Sequence, residues 1–224
     1  MSTAGVSAVL KYFLAALGMY VLVGQCRKPS WFLGRLIARG MNQSHSSLTS
    51  WGLAHVTIRP ADNILDIGCG GGKTVQRMET AATLGHVSAI DYSAASVQVA
   101  RAVNASAIAA GRVDIEEGTA SALPFADATF DLVTAVETHY YWPDLPNDLR
   151  GVLRVLKPGG HFIIIAEAYR SRRMDWLFRP AMALLRAVYM TPDEHRALFE
   201  GAGFEGVVVD TERRQGWICV VGRK

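Results

Sequence analysis

Short apolar runs recur along the chain after residue 60, and turn-forming residues separate them. Short runs that are almost continuously apolar are typical of strands buried on both faces of a sheet. They predict seven strands, at 63–67, 86–91, 113–116, 130–136, 161–166, 207–209 and 217–221. The last two runs are close enough along the chain to form an antiparallel pair.

Amphipathic stretches separate these runs, and the spacing of their apolar residues fits helices. They predict helices at 72–83, 94–110, 146–156 and 176–190, with a further helix that begins after Thr191 and ends at Gly201 or Gly203. Thr191 fits a helix cap because Pro192 follows it and Glu194 stands three residues on. The alternation predicts an α/β fold: a doubly wound, mostly parallel seven-stranded sheet with helices on both faces and an antiparallel last strand.

The first part of the chain is different, because residues 6–24 are predominantly apolar and carry only one charged residue, Lys11. Three interpretations fit this segment: a helix packed on the domain, an interfacial or membrane-anchoring helix with Trp31 and Phe32 beside it, or a cleaved export signal. The third is disfavoured because a poor cleavage site follows the segment. We predict a helical N-terminal extension and cap at 1–58 and a separate domain at 59–224.

Composition narrows the class of protein without identifying it. Half of the residues are hydrophobic and 19% are charged, as in a globular domain. The net charge is only +3, and a nucleic-acid-binding protein is expected to carry a stripe of basic residues. We therefore expect no nucleic-acid partner. The three cysteines are far apart, which predicts neither a disulfide nor a metal site and fits a reducing, cytoplasmic location. Contact with a membrane surface through residues 6–24 stays open, and the sequence does not indicate an oligomeric state.

A glycine-rich turn follows the first predicted strand and precedes the first helix of the domain. The strand carries Asp66, and the turn contains Gly68, Gly70, Gly71 and Gly72. Glycines are needed there because the turn requires unusual backbone angles and a ligand must approach the backbone closely. The second strand ends in an acid nineteen residues after the last of these glycines, where nucleotide-binding folds hold a ribose. The pattern predicts an adenosine-containing cofactor.

The spacing of the glycines separates this loop from two other nucleotide-binding motifs. A dinucleotide-binding loop that starts at Gly68 would have its third glycine where Lys73 stands. A phosphate-binding loop that ends in Gly72, Lys73 and Thr74 would need its first glycine at 66–67, where there is none. Neither a dinucleotide nor a nucleoside triphosphate is therefore the expected ligand.

The loop instead resembles the D-x-G-C-G-x-G motif of class I S-adenosylmethionine-dependent methyltransferases. Further stretches resemble the same family in the same order: Asp91, the segment 117–125 with its Leu-Pro-Phe ending, Phe130 to Val133, and the turn at 153–160. The resemblance covers about residues 60–224 and is to small-molecule enzymes of the ubiquinone and menaquinone group. It implies S-adenosyl-L-methionine as the cofactor and a small molecule as the acceptor.

The resemblance also implies which residues hold the cofactor. Asp66 and the glycine turn would surround its methionine part, and Asp91 would accept hydrogen bonds from the two ribose hydroxyls. Many relatives have an aspartate where Thr119 stands, so a hydroxyl or a backbone carbonyl must replace that contact with the adenine amino group. The implied cofactor-binding residues are Asp66, Gly68, Cys69, Gly70, Gly72, Asp91, Tyr92, Thr119, Ala120, Ser121, Val136 and Glu137.

Polar and aromatic residues cluster directly after the fourth strand, at 137–144. Ligands bind beyond the carboxyl ends of the strands in such sheets, so the acceptor is expected there. His139 has a pKa suited to a general base, and we predict His139 and Glu137 as catalytic residues. The same loop is also consistent with packing under the cap. The expected acceptor-binding residues are His45, Trp51, Tyr140, Tyr141, Trp142 and Arg170.

These patterns favour transfer of a methyl group from S-adenosylmethionine to a small, lipophilic acceptor by in-line displacement. Two alternatives are a non-catalytic S-adenosylmethionine-binding or membrane-associated assembly protein, and a nucleotide-dependent oxidoreductase, which the glycine spacing opposes. A nucleic-acid methyltransferase is disfavoured because Glu-Thr-His-Tyr follows the fourth strand in place of the motif used on base amino groups. The arginines of the segment 168–190 fit an anionic acceptor, a membrane surface or solvent.

Overall fold

The computed structural model describes residues 46–170 and 175–224. The predictions made for residues 6–24 and for His45 lie outside the described residues, and the division of the chain into an extension and a domain stays a prediction. Within the described ranges, no helix is both long enough and apolar enough to cross a membrane.

Seven strands form one mixed sheet, as predicted. The strands are β1 (Asn63–Ile67), β2 (His86–Asp91), β3 (Val113–Glu117), β4 (Phe130–Val136), β5 (Leu156–Ala166), β6 (Glu205–Glu212) and β7 (Trp217–Arg223). Their order across the sheet is β3-β2-β1-β4-β5-β7-β6, and β7 runs antiparallel to both of its neighbours while the other pairs are parallel. The strand order reverses between β1 and β4, and the crevice beyond their carboxyl ends is where such sheets bind ligands.

Helices cover both faces of this sheet, as predicted. They are α1 (Ser46–Leu53), α2 (Lys73–Ala81), α3 (Ala94–Val103), α4 (Ala105–Ala109), α5 (Leu145–Val155), α6 (Asp175–Leu184) and α7 (Pro192–Ala202). Residues of the first four helices form one apolar cluster with Ile64 of β1, and residues of the last three form another with Leu65. Neighbouring side chains of a strand point to opposite faces, so the two clusters lie on opposite sides of the sheet.

The helix predicted at 94–110 is interrupted at Asn104, where α3 ends and α4 begins. The Asn104 side-chain amide donates to the carbonyl oxygen of Gly72 at 3.0 Å and to that of Ala100 at 2.8 Å. An asparagine that binds backbone groups in this way competes with the helical hydrogen bonds. At this interruption, the Asn104 side chain therefore links the end of α3 to the glycine loop by a hydrogen bond.

Strand β5 begins at Leu156, earlier than the predicted start at His161. Leu156 pairs with Phe130 of β4 and His161 pairs with Leu132, so the residues between them leave the regular ladder. This irregularity contains Gly159, whose φ of 80° suits glycine. The turn that the glycines predict is thus present, but it forms a bulge within the strand rather than a connection before it.

Helix α6 ends at Leu184, whereas the sequence pattern predicts a helix that continues to residue 190. Arg186 adopts a left-handed conformation with φ of 51°, and the N–H of Ala187 turns back to the carbonyl oxygen of Met182 at 2.9 Å. The left-handed residue terminates the helix, because continued α-helical hydrogen bonding requires negative φ.

Candidate functional site

The glycine loop between β1 and α2 lies against the end of β2. The N–H groups of Gly68 and Cys69 both donate to the carbonyl oxygen of Ile90, at 2.7 and 3.1 Å. Gly68, Gly70 and Gly72 have φ of 79°, 52° and 80°, which residues with a side chain rarely adopt. The conformation therefore explains why glycine is needed at these positions.

Close packing restricts two of these glycines further, whereas the third borders open space. A Cβ atom at Gly68 would lie 2.3 Å from Thr138 Oγ1, and one at Gly72 would lie 2.7 Å from the Cα of Ala100. A Cβ atom at Gly70 would meet no described atom within 4 Å. The backbone at Gly70 is thus open to a ligand, and Gly68 brings the loop against the segment that follows β4.

Asp91 ends β2, and two backbone N–H groups hold its side chain. Gly70 N–H donates to Oδ2 and Ser93 N–H donates to Oδ1, both at 2.9 Å. Burial raises the pKa of Asp91, and these two hydrogen bonds oppose that increase. Each carboxylate oxygen has a second lone pair, so Asp91 can also accept hydrogen bonds from a ligand. The next residue, Tyr92, is half-buried.

The segment after β3, which the resemblance assigns to the adenine, lies beside Asp91. Gly118 N–H donates to the backbone carbonyl oxygen of Asp91 at 3.0 Å. Thr119 is exposed and caps a short 3₁₀ helix (Ala120–Ala122), since its Oγ1 accepts from Ser121 N–H at 3.1 Å. Ala120 is buried. The structure thus brings Thr119 to Ser121 next to Asp91 and the glycine loop.

Asp66 lies in β1, beside Thr134 of β4, and only 1% of its surface is exposed. Thr134 Oγ1 donates to Asp66 Oδ1 at 2.6 Å. Burial raises the pKa of Asp66 to about 7; the hydrogen bond from Thr134 opposes this increase, and the negative charge of Asp91 adds to it. A buried carboxyl group with a raised pKa, two residues before a ligand-accessible loop, is typical of a binding site.

We expect Asp66 to make the stability of the ligand-free protein depend on pH. The pKa of this carboxyl group is 3.8 in its reference state and about 7 in the folded chain, so across that interval only the folded chain holds the proton. The stabilisation that Asp66 contributes is therefore complete below about pH 4 and is lost as the pH rises through about 7.

Denaturant unfolding of the wild type and of Asp66→Asn, at about pH 5 and about pH 8, measures this effect. We expect the wild type to lose stability relative to the variant at the higher pH. Asp193→Asn, at an exposed position in the first turn of α7, is the matched control and should leave the stability difference between the two pH values as it is in the wild type. A stability difference between wild type and Asp66→Asn that is the same at both pH values would contradict the assigned pKa.

Glu137 directly follows β4 and adopts a left-handed conformation with φ of 57°. Tyr140 Oη donates to its Oε2 at 2.5 Å, and Glu167 N–H donates to its Oε1 at 2.6 Å. Backbone conformations of this kind are unfavourable for a residue with a side chain and are enriched at functional sites. The carboxylate is held between the ends of β4 and β5, and its catalytic role stays a prediction.

His139 begins a short 3₁₀ helix (His139–Tyr141) and contacts a second buried histidine, which the sequence pattern did not predict as a site residue. His139 Nε2 lies 3.2 Å from Nε2 of His195 in α7. His195 Nδ1 lies 2.8 Å from the carbonyl oxygen of Thr191, which can only accept a hydrogen bond. In the neutral pair, His195 therefore carries its proton on Nδ1, and Nε2 of His139 donates to Nε2 of His195.

This arrangement leaves Nδ1 of His139 as an unprotonated acceptor. The atom is buried and has no hydrogen-bond partner in the described parts of the chain. Burial lowers the pKa of both histidines, and the neighbouring His195 lowers that of His139 further, so both rings are neutral near pH 7. A buried acceptor without a partner is unfavourable by about 1–3 kcal/mol, which favours a functional reason for it.

The aromatic residues predicted to contact the acceptor lie on both faces of the sheet. Tyr140 and Trp142 are buried in the apolar cluster of α5 and α7. Tyr141 is half-buried, and its ring packs edge-on to that of Tyr140, with 4.8 Å between centroids. Trp51 belongs to the cluster on the opposite face, where its ring centroid lies 5.8 Å from that of Trp217. Tyr141 is thus more exposed to solvent than Tyr140 or Trp142.

Arg170, the remaining acceptor candidate, lies at the surface just past the end of β5. Its guanidinium donates to Glu194 Oε1 at 2.5 Å, in an ion pair whose two side chains are 43% and 47% exposed. Val136, predicted near the cofactor, is half-buried at the end of β4. The roles assigned to these residues stay predictions.

The residues that contact the predicted site and were not among the sequence candidates include Ser93, Thr134, Thr138 and His195. The first three are short polar residues, which are common in strands and turns and carry no distinguishing pattern. His195 had one signal, because it is a histidine on the apolar face of a helix whose other inward residues are hydrophobic. Neither its partner nor its protonation could be read from that signal.

Known methyltransferases are similar to this chain in sequence and in fold. A family model described as a methyltransferase domain matches residues 65–164. The chain is 30% identical to the demethylmenaquinone methyltransferase of Symbiobacterium thermophilum, over 73% of this chain and 81% of that enzyme. It is 33% identical to the 27-O-demethylrifamycin SV methyltransferase of Amycolatopsis mediterranei, over 75% of this chain but only 56% of that enzyme.

The fold itself has a close match among solved structures. A SAM-dependent methyltransferase from Aquifex aeolicus superposes on this chain with a TM-score of 0.68 at 20% identity, over 84% of this chain and 96% of that protein. At that identity the likeness supports the fold, and the sequence relatives support the family. The chain therefore belongs to the class I S-adenosylmethionine-dependent methyltransferases.

Proposed function

We propose that this chain transfers a methyl group from S-adenosylmethionine to a small, lipophilic acceptor by in-line displacement. The observation that carries the proposal is the meeting of the glycine loop with Asp91, where Gly70 borders open space. Relatives named for methylating demethylmenaquinone and a demethylrifamycin support a small molecule as the acceptor. The apolar cluster against which Tyr141 packs supports a lipophilic one.

The described residues fit the cofactor of this family. S-adenosylmethionine supplies, when bound, a methyl group attached to a positively charged sulfonium. We expect the remaining lone pairs of Asp91 to accept hydrogen bonds from the ribose hydroxyls, and the open backbone at Gly70 to lie against the ligand. Asp66 would balance positive charge on the cofactor, because a nearby cation favours the ionised form of a buried carboxyl group.

We assign the removal of a proton from the acceptor to His139. His195, fixed by its hydrogen bond to Thr191, holds His139 in the tautomer whose Nδ1 can take a proton. The lowered pKa of His139 keeps that nitrogen unprotonated at neutral pH. The preceding residue, Thr138, lies against Gly68, so the base and the cofactor loop are on touching segments. Such proximity is what a displacement between two bound molecules requires.

An acceptor screen tests the proposal. The full chain is incubated with S-adenosylmethionine labelled in its methyl group and with quinols, phenols, thiols and lipids, and the label transferred to each compound is measured. We expect labelling of at least one apolar acceptor, because the half-buried ring of Tyr141 belongs to the segment that contacts the cofactor loop through Thr138. Calorimetry should also detect binding of S-adenosylhomocysteine.

Two outcomes would contradict the proposal in different ways. Binding of NADH in place of S-adenosylhomocysteine would point to an oxidoreductase. Binding of S-adenosylhomocysteine without transfer to any compound in the screen would instead support a non-catalytic binding protein. The calorimetry therefore separates an error about the cofactor from an error about catalysis.

A further inference from the structure

The described residues between β5 and α7 pack against the loop that carries the acceptor candidates. Tyr169 and Met182 are buried in the same apolar cluster as Tyr140. Val188 N–H donates to the carbonyl oxygen of Tyr140 at 2.8 Å. The inner side of this segment is therefore fixed to the predicted acceptor site.

The outer side of α6 is apolar and faces solvent. Trp176, Pro180, Ala183 and Leu184 are all exposed, and their spacing of four, seven and eight residues places them on one face of the helix. Trp176 is 76% exposed and Leu184 is 49% exposed. A surface helix of a globular domain normally turns its apolar stripe toward the core, as Met182 does here, so a second apolar stripe that faces solvent is typical of an interaction surface.

Positive charge accompanies this apolar face. Arg179 is exposed three residues after Trp176, and Arg186 is exposed just beyond the helix. Asp175, the acid of this helix, accepts a hydrogen bond from Tyr189 Oη at 3.0 Å. Residues 168–190 contain five arginines and one acidic residue. An apolar helix face with tryptophan and with arginines beside it complements an anionic membrane interface.

We propose that the outer face of α6, formed by Trp176, Arg179, Pro180, Ala183 and Leu184, docks on an anionic lipid bilayer. The apolar side chains enter the boundary between head groups and acyl chains, and the arginines remain among the lipid phosphates. The bound surface lies over the predicted acceptor site, so a lipophilic acceptor would pass from the bilayer into that site. This last step rests on the proposed function, whereas the docking does not.

Sedimentation of the full chain with vesicles tests the docking. The vesicles contain phosphatidylcholine alone or phosphatidylcholine with phosphatidylglycerol, and the partition coefficient is measured at low and high salt. We expect stronger binding to the anionic vesicles, and we expect salt to weaken it. Trp176→Ser combined with Leu184→Ser should lower the partition coefficient at least about tenfold, because two large apolar side chains no longer enter the bilayer.

Leu84→Ser is the matched control, since Leu84 is 82% exposed and lies in the turn before the amino end of β2, whereas α6 follows the carboxyl end of β5. It should leave the partition coefficient unchanged, and Arg179→Glu should lower binding to anionic vesicles only. Equal binding to both kinds of vesicle, or full binding by the double variant, would overturn the proposal. The second result would assign the binding to another part of the chain, such as residues 6–24.

Calorimetry with S-adenosylhomocysteine on the same proteins separates the two proposals. The double variant should bind S-adenosylhomocysteine like the wild type, because neither residue belongs to the cofactor loop. Vesicle binding by a chain that does not bind S-adenosylhomocysteine would leave the docking in place and remove the proposed function. Normal cofactor binding without vesicle binding would do the reverse.

Discussion

His139→Asn is expected to lower kcat by about 10²- to 10³-fold, the range that a general base typically contributes. The substitution removes Nδ1, the acceptor nitrogen that has no partner in the described residues. Affinity for S-adenosylhomocysteine should stay near the wild-type value, because His139 does not belong to the glycine loop. Initial rates with an acceptor found in the screen, together with calorimetry, measure the two quantities separately.

His195→Leu tests the hydrogen bond that sets the tautomer of His139. The variant removes the acceptor of the His139 Nε2–H group, so Nδ1 is no longer held unprotonated, and kcat should fall, though by less than in His139→Asn. It also removes a neighbour that lowers the pKa of His139. The acidic limb of the pH–rate profile should therefore move to higher pH, a shift that loss of packing alone would not produce.

His86→Asn is the matched control for both variants. His86 begins β2, at the amino end of that strand, whereas His139 follows the carboxyl end of β4. The His86 ring pairs with the exposed carboxylate of Asp114 at 3.0 Å. Its loss should leave kcat and the pH–rate profile unchanged. A wild-type kcat in His139→Asn would exclude His139 as the base. Thermal unfolding of each variant shows whether loss of a buried histidine has instead destabilised the fold.

Strands β1, β2 and β4 could be predicted because their apolar runs end at residues that cannot continue a buried strand. β1, β2 and β4 have the predicted bounds. β1 stops at Gly68, whose φ of 79° turns the chain out of the sheet. Local sequence carries this information, because alternation of apolar runs and turn residues is a property of neighbouring positions.

The interruption of the helix at Asn104 could not be predicted in the same way. The sequence around it is rich in alanine, which favours one continuous helix. The interruption depends on a hydrogen bond to Gly72, which stands 32 positions earlier in the chain. A contact between segments so far apart leaves no mark on the local pattern, so it appears only once the fold is known.

The candidate cofactor residues and the residues around the proposed base differ in how far the sequence could predict them, for the same reason. Asp66 and Asp91 were identifiable because their spacing from the glycines is fixed by one strand–turn–helix unit and the next strand. The pairing of His139 with His195 joins positions 56 residues apart on a loop and a helix. Thr134, which donates a hydrogen bond to Asp66, stands in a mainly apolar strand, and nothing in the local sequence distinguishes it. The placement of Asp66 and Asp91 beside the glycine loop was therefore predictable, and the residues that orient the proposed base were not.

Asp91→Ala is expected to weaken S-adenosylhomocysteine binding by roughly tenfold to a few hundredfold. The carboxylate accepts hydrogen bonds from Gly70 and Ser93, and its remaining lone pairs are proposed to accept from the ribose. Hydrogen bonds to a charged group contribute about 1.5–3 kcal/mol each, and about 1.4 kcal/mol corresponds to a factor of ten. Asp114→Ala, which removes an exposed acid from the adjacent strand β3, should leave the affinity unchanged.

Asp91→Ala can weaken binding in two ways, by releasing the glycine loop and by removing a contact to the ribose. A ligand without ribose hydroxyls separates these two effects. If Asp91 only holds the glycine loop in place, Asp91→Ala weakens S-adenosylhomocysteine and its 2′,3′-dideoxy analogue by the same factor. If Asp91 also binds the ribose, the variant weakens the natural ligand more than the analogue, because only the natural ligand loses a contact to the side chain. We expect the second result, since both carboxylate oxygens keep a lone pair after the hydrogen bonds to the loop are made. Equal losses would assign Asp91 to the loop alone.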